Sequence, residues 1–157
     1  MRALYFALCF LLLAAGAAFA AETVECEGFS LQVPDGWQVL HGPQKHQYGY
    51  MVVLSGPGRL ETVNVNITSS LGLDIEQLID KARKKADQKG QSLEIVSSGT
   101  DSYTAETEVG NLKVRLVCTL DSDKKELGIL AYSASSKEAE AVARTVRTTN
   151  PKLQFFK

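Results

Sequence analysis

The chain is organised around the sequence Gly28-Phe29-Ser30-Leu31-Gln32-Val33-Pro34-Asp35-Gly36-Trp37-Gln38-Val39. The apolar residues of 29–33 alternate with polar ones, which is the period of a strand with one buried face. The Pro-Asp-Gly triplet predicts a turn, because proline fixes φ, aspartate bonds nearby backbone and glycine tolerates positive φ. Trp37, the single tryptophan of the chain, follows at once. This stretch therefore predicts a strand, a turn and a buried aromatic anchor.

Upstream of this stretch, residues 1–20 predict a secretory signal peptide. Arg2 supplies the positive start, an uncharged apolar run follows, and Ala18-Phe19-Ala20 places small residues at the cleavage positions. We expect cleavage after Ala20 and a mature chain of residues 21–157 that forms one domain in the periplasm or outside the cell. An uncleaved anchor is the alternative, since the uncharged run is just long enough to span a bilayer.

The charge balance argues against nucleic acid as a partner. The sequence holds 17 basic and 18 acidic residues, a net charge of −1. Loss of Arg2 with the signal leaves −2, whereas nucleic-acid binding needs a basic surface. Residues 21–157 hold no apolar run of transmembrane length, so no membrane span is expected in the mature chain.

Downstream, the hydrophobic periodicity predicts strands, a helix, four more strands and a second helix. Predicted strands cover 37–40, 48–54, 60–68, 92–97, 102–109, 112–120 and 127–133, and residues 41–46 are predicted to be a loop. The first helix is predicted to begin at Asp74, with Gln77 completing a capping box, and to end at Gly90. The second is predicted to begin at Ser135, with Glu138 at its third position. Short hairpins between consecutive strands predict an α+β fold around an antiparallel sheet.

With these elements in order, the chain resembles the PsbP-like and DcrB-like family of exported α/β proteins. The resemblance is carried by Phe-x-x-x-Val-Pro-Asp-Gly-Trp at 29–37, the alternating strand at 63–68 with the helix after it, the hairpins of 103–133 and the final helix. It covers nearly all of the mature chain and implies an α/β/α sandwich around an antiparallel sheet.

The resemblance implies little about activity, although the known members of the family share a general kind of role. Members of this fold include an extrinsic photosystem subunit, a nuclear-transport factor that binds the small GTPase Ran, and many bacterial envelope proteins. They bind or assist and are not generally enzymes. The leading hypothesis is a non-enzymatic accessory or binding protein of the bacterial cell envelope, with no cofactor and with a protein or small molecule as its partner. Its basis is the predicted signal peptide, the sandwich pattern and the absence of a catalytic constellation in the sequence.

Two cysteines, Cys26 and Cys118, remain once the signal is removed. In an exported chain, one disulfide between them is the simple expectation, and two buried free thiols are the alternative. A bridge would require the backbone to turn between Cys26 and Phe29, which Gly28 would permit.

A polar ladder in the strand at 60–68 is the candidate binding surface. Val63, Val65 and Ile67 define its apolar face, and Asn64, Asn66 and Thr68 lie on the other. Asparagine is depleted in strands, so two on one face suggest a wet surface or a shallow groove. A solvent-facing side of the sheet is the simpler interpretation.

An alternative function is a metal-dependent envelope enzyme that uses His41 and His46, the only histidines. A metal site would need a third and a fourth ligand, for which Glu22, Glu25 or Glu27 are candidates. The spacing matches no metal motif, so two solvated histidines are the simpler interpretation. No serine stands in a Gly-x-Ser-x-Gly sequence, the form expected of a nucleophile elbow.

The second half of the first helix is rich in lysine and arginine. Such a run could contact an anionic partner or lipid headgroups. A solvated helix face is the more usual reason for a charge run.

Overall fold

The computed structural model describes residues 21–47, 49–58 and 60–156; the predicted signal peptide lies outside them. The described part contains ten strands, two α-helices and one 3₁₀ turn. The strands are β1 (Glu22–Glu25), β2 (Phe29–Val33), β3 (Gln38–His46), β4 (Gly49–Ser55), β5 (Thr62–Ser69), β6 (Leu93–Ser98), β7 (Ser102–Val109), β8 (Leu112–Asp121), β9 (Glu126–Ser133) and β10 (Arg147–Thr148). The helices are α1 (Ile75–Gln88) and α2 (Lys137–Ala143), and the 3₁₀ turn is Pro151–Leu153. None of these helices is long and apolar enough to cross a membrane.

Seven strands form one antiparallel sheet in the order β3-β4-β5-β9-β8-β7-β6, and β1, β2 and β10 form a smaller antiparallel sheet. The expected α+β fold built on an antiparallel sheet is thus confirmed. The connection from β5 through α1 to β6 crosses the large sheet between parallel strands, and such crossovers are right-handed.

One apolar cluster joins the small sheet and α2 to the large sheet. Its members come from β2, α2 and the inward positions of β4, β5 and β9, and Phe29 and Leu31 are each only 1% exposed. Trp37 belongs to this cluster and is 7% exposed, so the predicted aromatic anchor is confirmed.

A second apolar cluster lies on the other face of the large sheet, under α1. Ile75, Leu78 and Ile79 of the helix pack on residues of β7, β8 and β9. Successive side chains of β8 point to opposite faces of the sheet. Val117 therefore belongs to the first cluster and Cys118 to the second.

The predicted start of α1 is confirmed in detail. Asp74 Oδ1 accepts from the Gln77 backbone N–H at 2.8 Å, and the Gln77 side chain accepts from the Asp74 N–H at 3.1 Å. Gly90 follows the helix with φ of 64°, as expected for a closing glycine.

Two local predictions are wrong. Residues 41–46 belong to β3 rather than to a loop, because two irregularities in the β3–β4 pairing accommodate Gly42 and Pro43 within the strand. The cap of α2 is Ser136, whose Oγ accepts from the Ala139 N–H at 3.1 Å, and not Ser135.

The buried side-chain amide of Asn150 links the C-terminal segment to the β8–β9 hairpin by hydrogen bonds. Asn150 Nδ2 donates to Asp121 Oδ2 and to Glu126 Oε2, both at 2.8 Å, and its Oδ1 accepts from the Lys152 N–H. Beyond it, Leu153 and Phe155 are buried, as their apolar character predicts.

We expect Asn150→Ala to lower the free energy of unfolding by about 1–3 kcal/mol, because the buried carboxylate of Asp121 and the half-buried carboxylate of Glu126 lose a donor. Donation from Asn150, the Lys124 N–H and nearby Lys152 keep the pKa of Asp121 below its ordinary value. The stability this carboxylate contributes is therefore present above the unfolded pKa of about 4 and is lost as pH falls below it. Urea melts at pH 7 and pH 3 measure this effect. The free energy of unfolding should fall more between pH 7 and pH 3 for the parent than for Asn150→Ala. Equal losses would contradict the assignment.

Candidate functional site

One side of the large sheet is only partly covered, and this is the candidate site. Helix α1 contacts β6 and β7, at one edge of the sheet. On the same side, β4, β5, β9 and the first half of β8 present side chains that are only half-buried. We call this surface the open face; its residues are Met51, Val53, Asn64, Asn66, Thr68, Val114, Leu116, Ile129 and Ala131.

The predicted polar ladder lies at the centre of the open face. Asn64 is paired with Val53 on one side and Ala131 on the other, and Asn66 lies between Met51 and Ile129. Neighbouring strands are about 4.8 Å apart, so the amides stand among apolar side chains at contact distance. Asn66 and Thr68 have interaction partners within the protein. The alternation predicted for this strand is confirmed, since Val63, Val65 and Ile67 are buried on the opposite side.

Helix α1 turns one flank toward the open face. The other flank faces the β6–β7 turn, because Glu76 and Ile79 line a cleft together with residues 98–100 of that turn. At 100° per residue, Lys81, Lys85 and the C-cap residue Lys89 fall on the flank away from β6. The right-handed crossover that is general for such connections puts this flank on the β5 side. These three lysines, four residues apart and exposed, form what we call the lysine row.

Acidic residues of α1 are segregated from the lysine row. Glu76, Asp80 and Asp87 lie on the flank near β6, where Asp80 Oδ1 is 4.0 Å from Arg83 Nη1. Among the described residues, no carboxylate belongs to the open face or to the lysine row. The combined surface is therefore positive or neutral throughout, in a chain that is acidic overall.

The two histidines lie along the edge strand β3. His41 is exposed and paired with Val53, whereas the backbone of His46 is paired with Gly49. The two β4 partners are four residues apart, which corresponds to about 13 Å along a strand. The side chain of His46 lies outside the described residues, and those residues contain no group of three or more His, Cys, Asp or Glu that could hold a metal ion.

The predicted disulfide between Cys26 and Cys118 is not formed; both residues are free thiols. Cys26 packs on the cluster beneath the small sheet, and Cys118 belongs to the cluster beneath α1. The large sheet thus separates them, and packed layers are about 10 Å apart, beyond the Cα separation of roughly 7 Å that a disulfide tolerates. Sequence periodicity placed Cys118 on the apolar side of β8 but could not show which layer covers that side.

Burial raises the pKa of Cys118 to about 11, and its neighbour Tyr103 also has a raised pKa because it is buried. We therefore expect Cys118 to resist alkylation by iodoacetamide at pH 8 in the native protein, because little thiolate is present. Denaturation without reductant should expose two thiols that both alkylate. A mass two hydrogens below that of the reduced chain, with no alkylation, would contradict the observed arrangement.

The opposite face of the sheet carries a cluster of ion pairs between β7 and β8. Glu106 Oε1 accepts from Arg115 at 2.5 Å and 3.0 Å, and Glu106 Oε2 lies 2.5 Å from Lys113 Nζ. These bonds lower the pKa of Glu106 and raise the pKa values of its two partners. The ion pairs join β7 to β8, and the single carboxylate is shared by two cations, which leaves the cluster with a net charge of +1.

A cleft of about 320 Å³ lies between β2, α2 and the turn at 34–37. Trp37 lines it, but the indole is largely buried and serves the core. This cleft holds one hydroxyl, one amide and two exposed carboxylates among apolar walls, and no nucleophile is paired with a base there.

Comparison with protein-family models and with curated proteins finds no match for this chain. The functional assignment therefore depends on the geometry of the chain itself.

Proposed function

We propose that the chain is an exported, non-enzymatic accessory or binding protein of the bacterial cell envelope, and that its partner docks on the open face. The observation that carries the proposal is the half-buried mixture of apolar and amide side chains in the centre of that face. Protein interfaces combine apolar contacts with a limited number of hydrogen-bonding groups in this manner.

The expected export signal and the resemblance to PsbP-like proteins support the same proposal. In that family an α/β/α sandwich around an antiparallel sheet serves to bind or assist other molecules. We infer the PsbP-like form of the α+β fold here, because α1 lies on one face of the large sheet and α2 with the small sheet lies on the other. Fold alone does not set function, so the argument rests on the open face.

Affinity capture with matched variants tests the proposal. The tagged mature protein is exposed to a detergent extract of the envelope fraction of its own organism. Asn64→Arg places a long charged side chain in the open face, and Thr104→Arg places the same side chain on the opposite face of β7. We expect the parent and Thr104→Arg to recover the same partner and Asn64→Arg to lose it. Recovery by all three forms, or by none, would contradict the proposal.

A further inference from the structure

We propose that the partner bound at the open face is a protein segment rich in carboxylates, which pairs with the lysine row. The inference rests on the proposed function and specifies the chemistry of the partner. It begins from the arrangement of charge: three exposed lysines border a surface on which the described residues include no acid. The other flank of α1 carries both signs, with Asp80 next to Arg83, whereas the lysine row carries only positive charge.

The lysine row is placed to act together with the open face. Lys81 and Lys85 lie on one flank of α1 and Lys89 caps its C-terminal end, so the three are spaced about 6 Å apart in one row. That flank borders β8, β9 and β5, whose half-buried side chains form the floor beside it. A segment lying on this floor could present apolar side chains to Leu116 and Ile129 and carboxylates to the lysines. Complementary charge of this kind sets orientation and speeds association.

A membrane surface fits the same lysines less well. An interfacial helix needs apolar side chains that enter the lipid, next to its basic residues. The apolar residues of α1, Ile75, Leu78, Ile79, Ala82 and Ala86, all face the sheet. The outward positions of the helix are polar or charged, so lipid would meet charge without an apolar anchor.

Zero-length crosslinking tests the inference on the partner recovered by affinity capture. A carbodiimide joins a lysine amine to a carboxylate in direct contact, with loss of water. We expect amide bonds between at least one residue of the lysine row and Asp or Glu of the partner, identified by mass spectrometry. Crosslinks from this surface only to other regions of the chain itself would overturn the inference, as would recovery of lipid in place of protein.

Variants that remove the lysine charges test the inference by their affinity for the partner. Lys81→Gln, Lys85→Gln and Lys89→Gln are combined, since glutamine keeps helix propensity. At a factor of roughly two for each exposed ion pair, we expect about an eightfold loss of affinity. The control combines Lys113→Gln, Lys137→Gln and Lys152→Gln, which removes the same charge elsewhere and should change affinity less than twofold.

The two proposals fail in different ways. If Asn64→Arg abolishes capture but the lysine-row variant binds like the parent, the carboxylate inference is wrong and the open face still binds. If the parent captures nothing, the proposed function fails and the inference fails with it. Circular dichroism of each variant should match the parent, so that a loss of binding is not a loss of folding.

Discussion

Replacing Trp37 with alanine is expected to lower the free energy of unfolding by about 3–5 kcal/mol. Trp37 is 7% exposed and belongs to the cluster that joins the small sheet to the large one. Its position is set by the preceding turn, in which Gly36 has φ of 81° and the Trp37 N–H donates to the Pro34 carbonyl at 3.1 Å. The ring packs so closely over Gly56 that a methyl group there would lie 3.0 Å from it. Alanine would leave a cavity that this fixed turn cannot close.

Urea melts of the two proteins measure this loss. It would be a large share of the total stability of a domain, which is about 5–15 kcal/mol. Leu40→Ala is the control, because Leu40 is 61% exposed and its loss should change stability by less than about 0.5 kcal/mol. Coincident melts of the parent and Trp37→Ala would show that the indole is not part of the core.

Replacing Gly49 with alanine is expected to be similarly damaging, for a steric reason. A Cβ at this position would lie 1.8 Å from the Ile67 carbonyl oxygen and 2.8 Å from the Thr68 Cα, both backbone atoms of β5. Because Gly49 is paired with Thr68, the methyl group could be accommodated only by separating β4 from β5. We expect a loss of about 3 kcal/mol, at the upper end for overpacked sites.

Gly99→Ala is the matched control for this substitution. The nearest atom to its added Cβ would be 3.9 Å away, which is an ordinary contact distance. A thermal or urea melt should therefore place Gly99→Ala close to the parent and Gly49→Ala well below it. Equal stability of both variants would contradict the close β4–β5 approach.

Local signals in the sequence predicted most of the elements. Alternation in 29–33 and 63–68, the capping box of Asp74 and Gln77, and the closing Gly90 depend on neighbours within a few residues. Strand β1 was missed because its four residues alternate too briefly to be distinguished from a tail. Strand β10, with two residues, exists only through its pairing with β2.

The candidate site was predicted only in part. The polar ladder was visible because alternation within one strand assigns its residues to a face. Its apolar neighbours on β4 and β9 depend on strand order, which no local pattern encodes. The lysine run was also visible, but its orientation toward the open face requires the handedness of the β5–α1–β6 crossover. The wrong disulfide has the same origin, since Cys26 and Cys118 were assigned to strands but not to layers of the fold.

Docking of a partner on the open face is the central claim, and site-specific photo-crosslinking tests it most directly. A benzophenone amino acid replaces Asn64 in one protein and Thr104 in another, and each is irradiated with the envelope extract of its own organism. Position 64 lies in the open face and position 104 on the opposite face of the sheet. We predict a discrete protein adduct from position 64 and none from position 104. An adduct from position 104 alone, or from neither position, would contradict the claim.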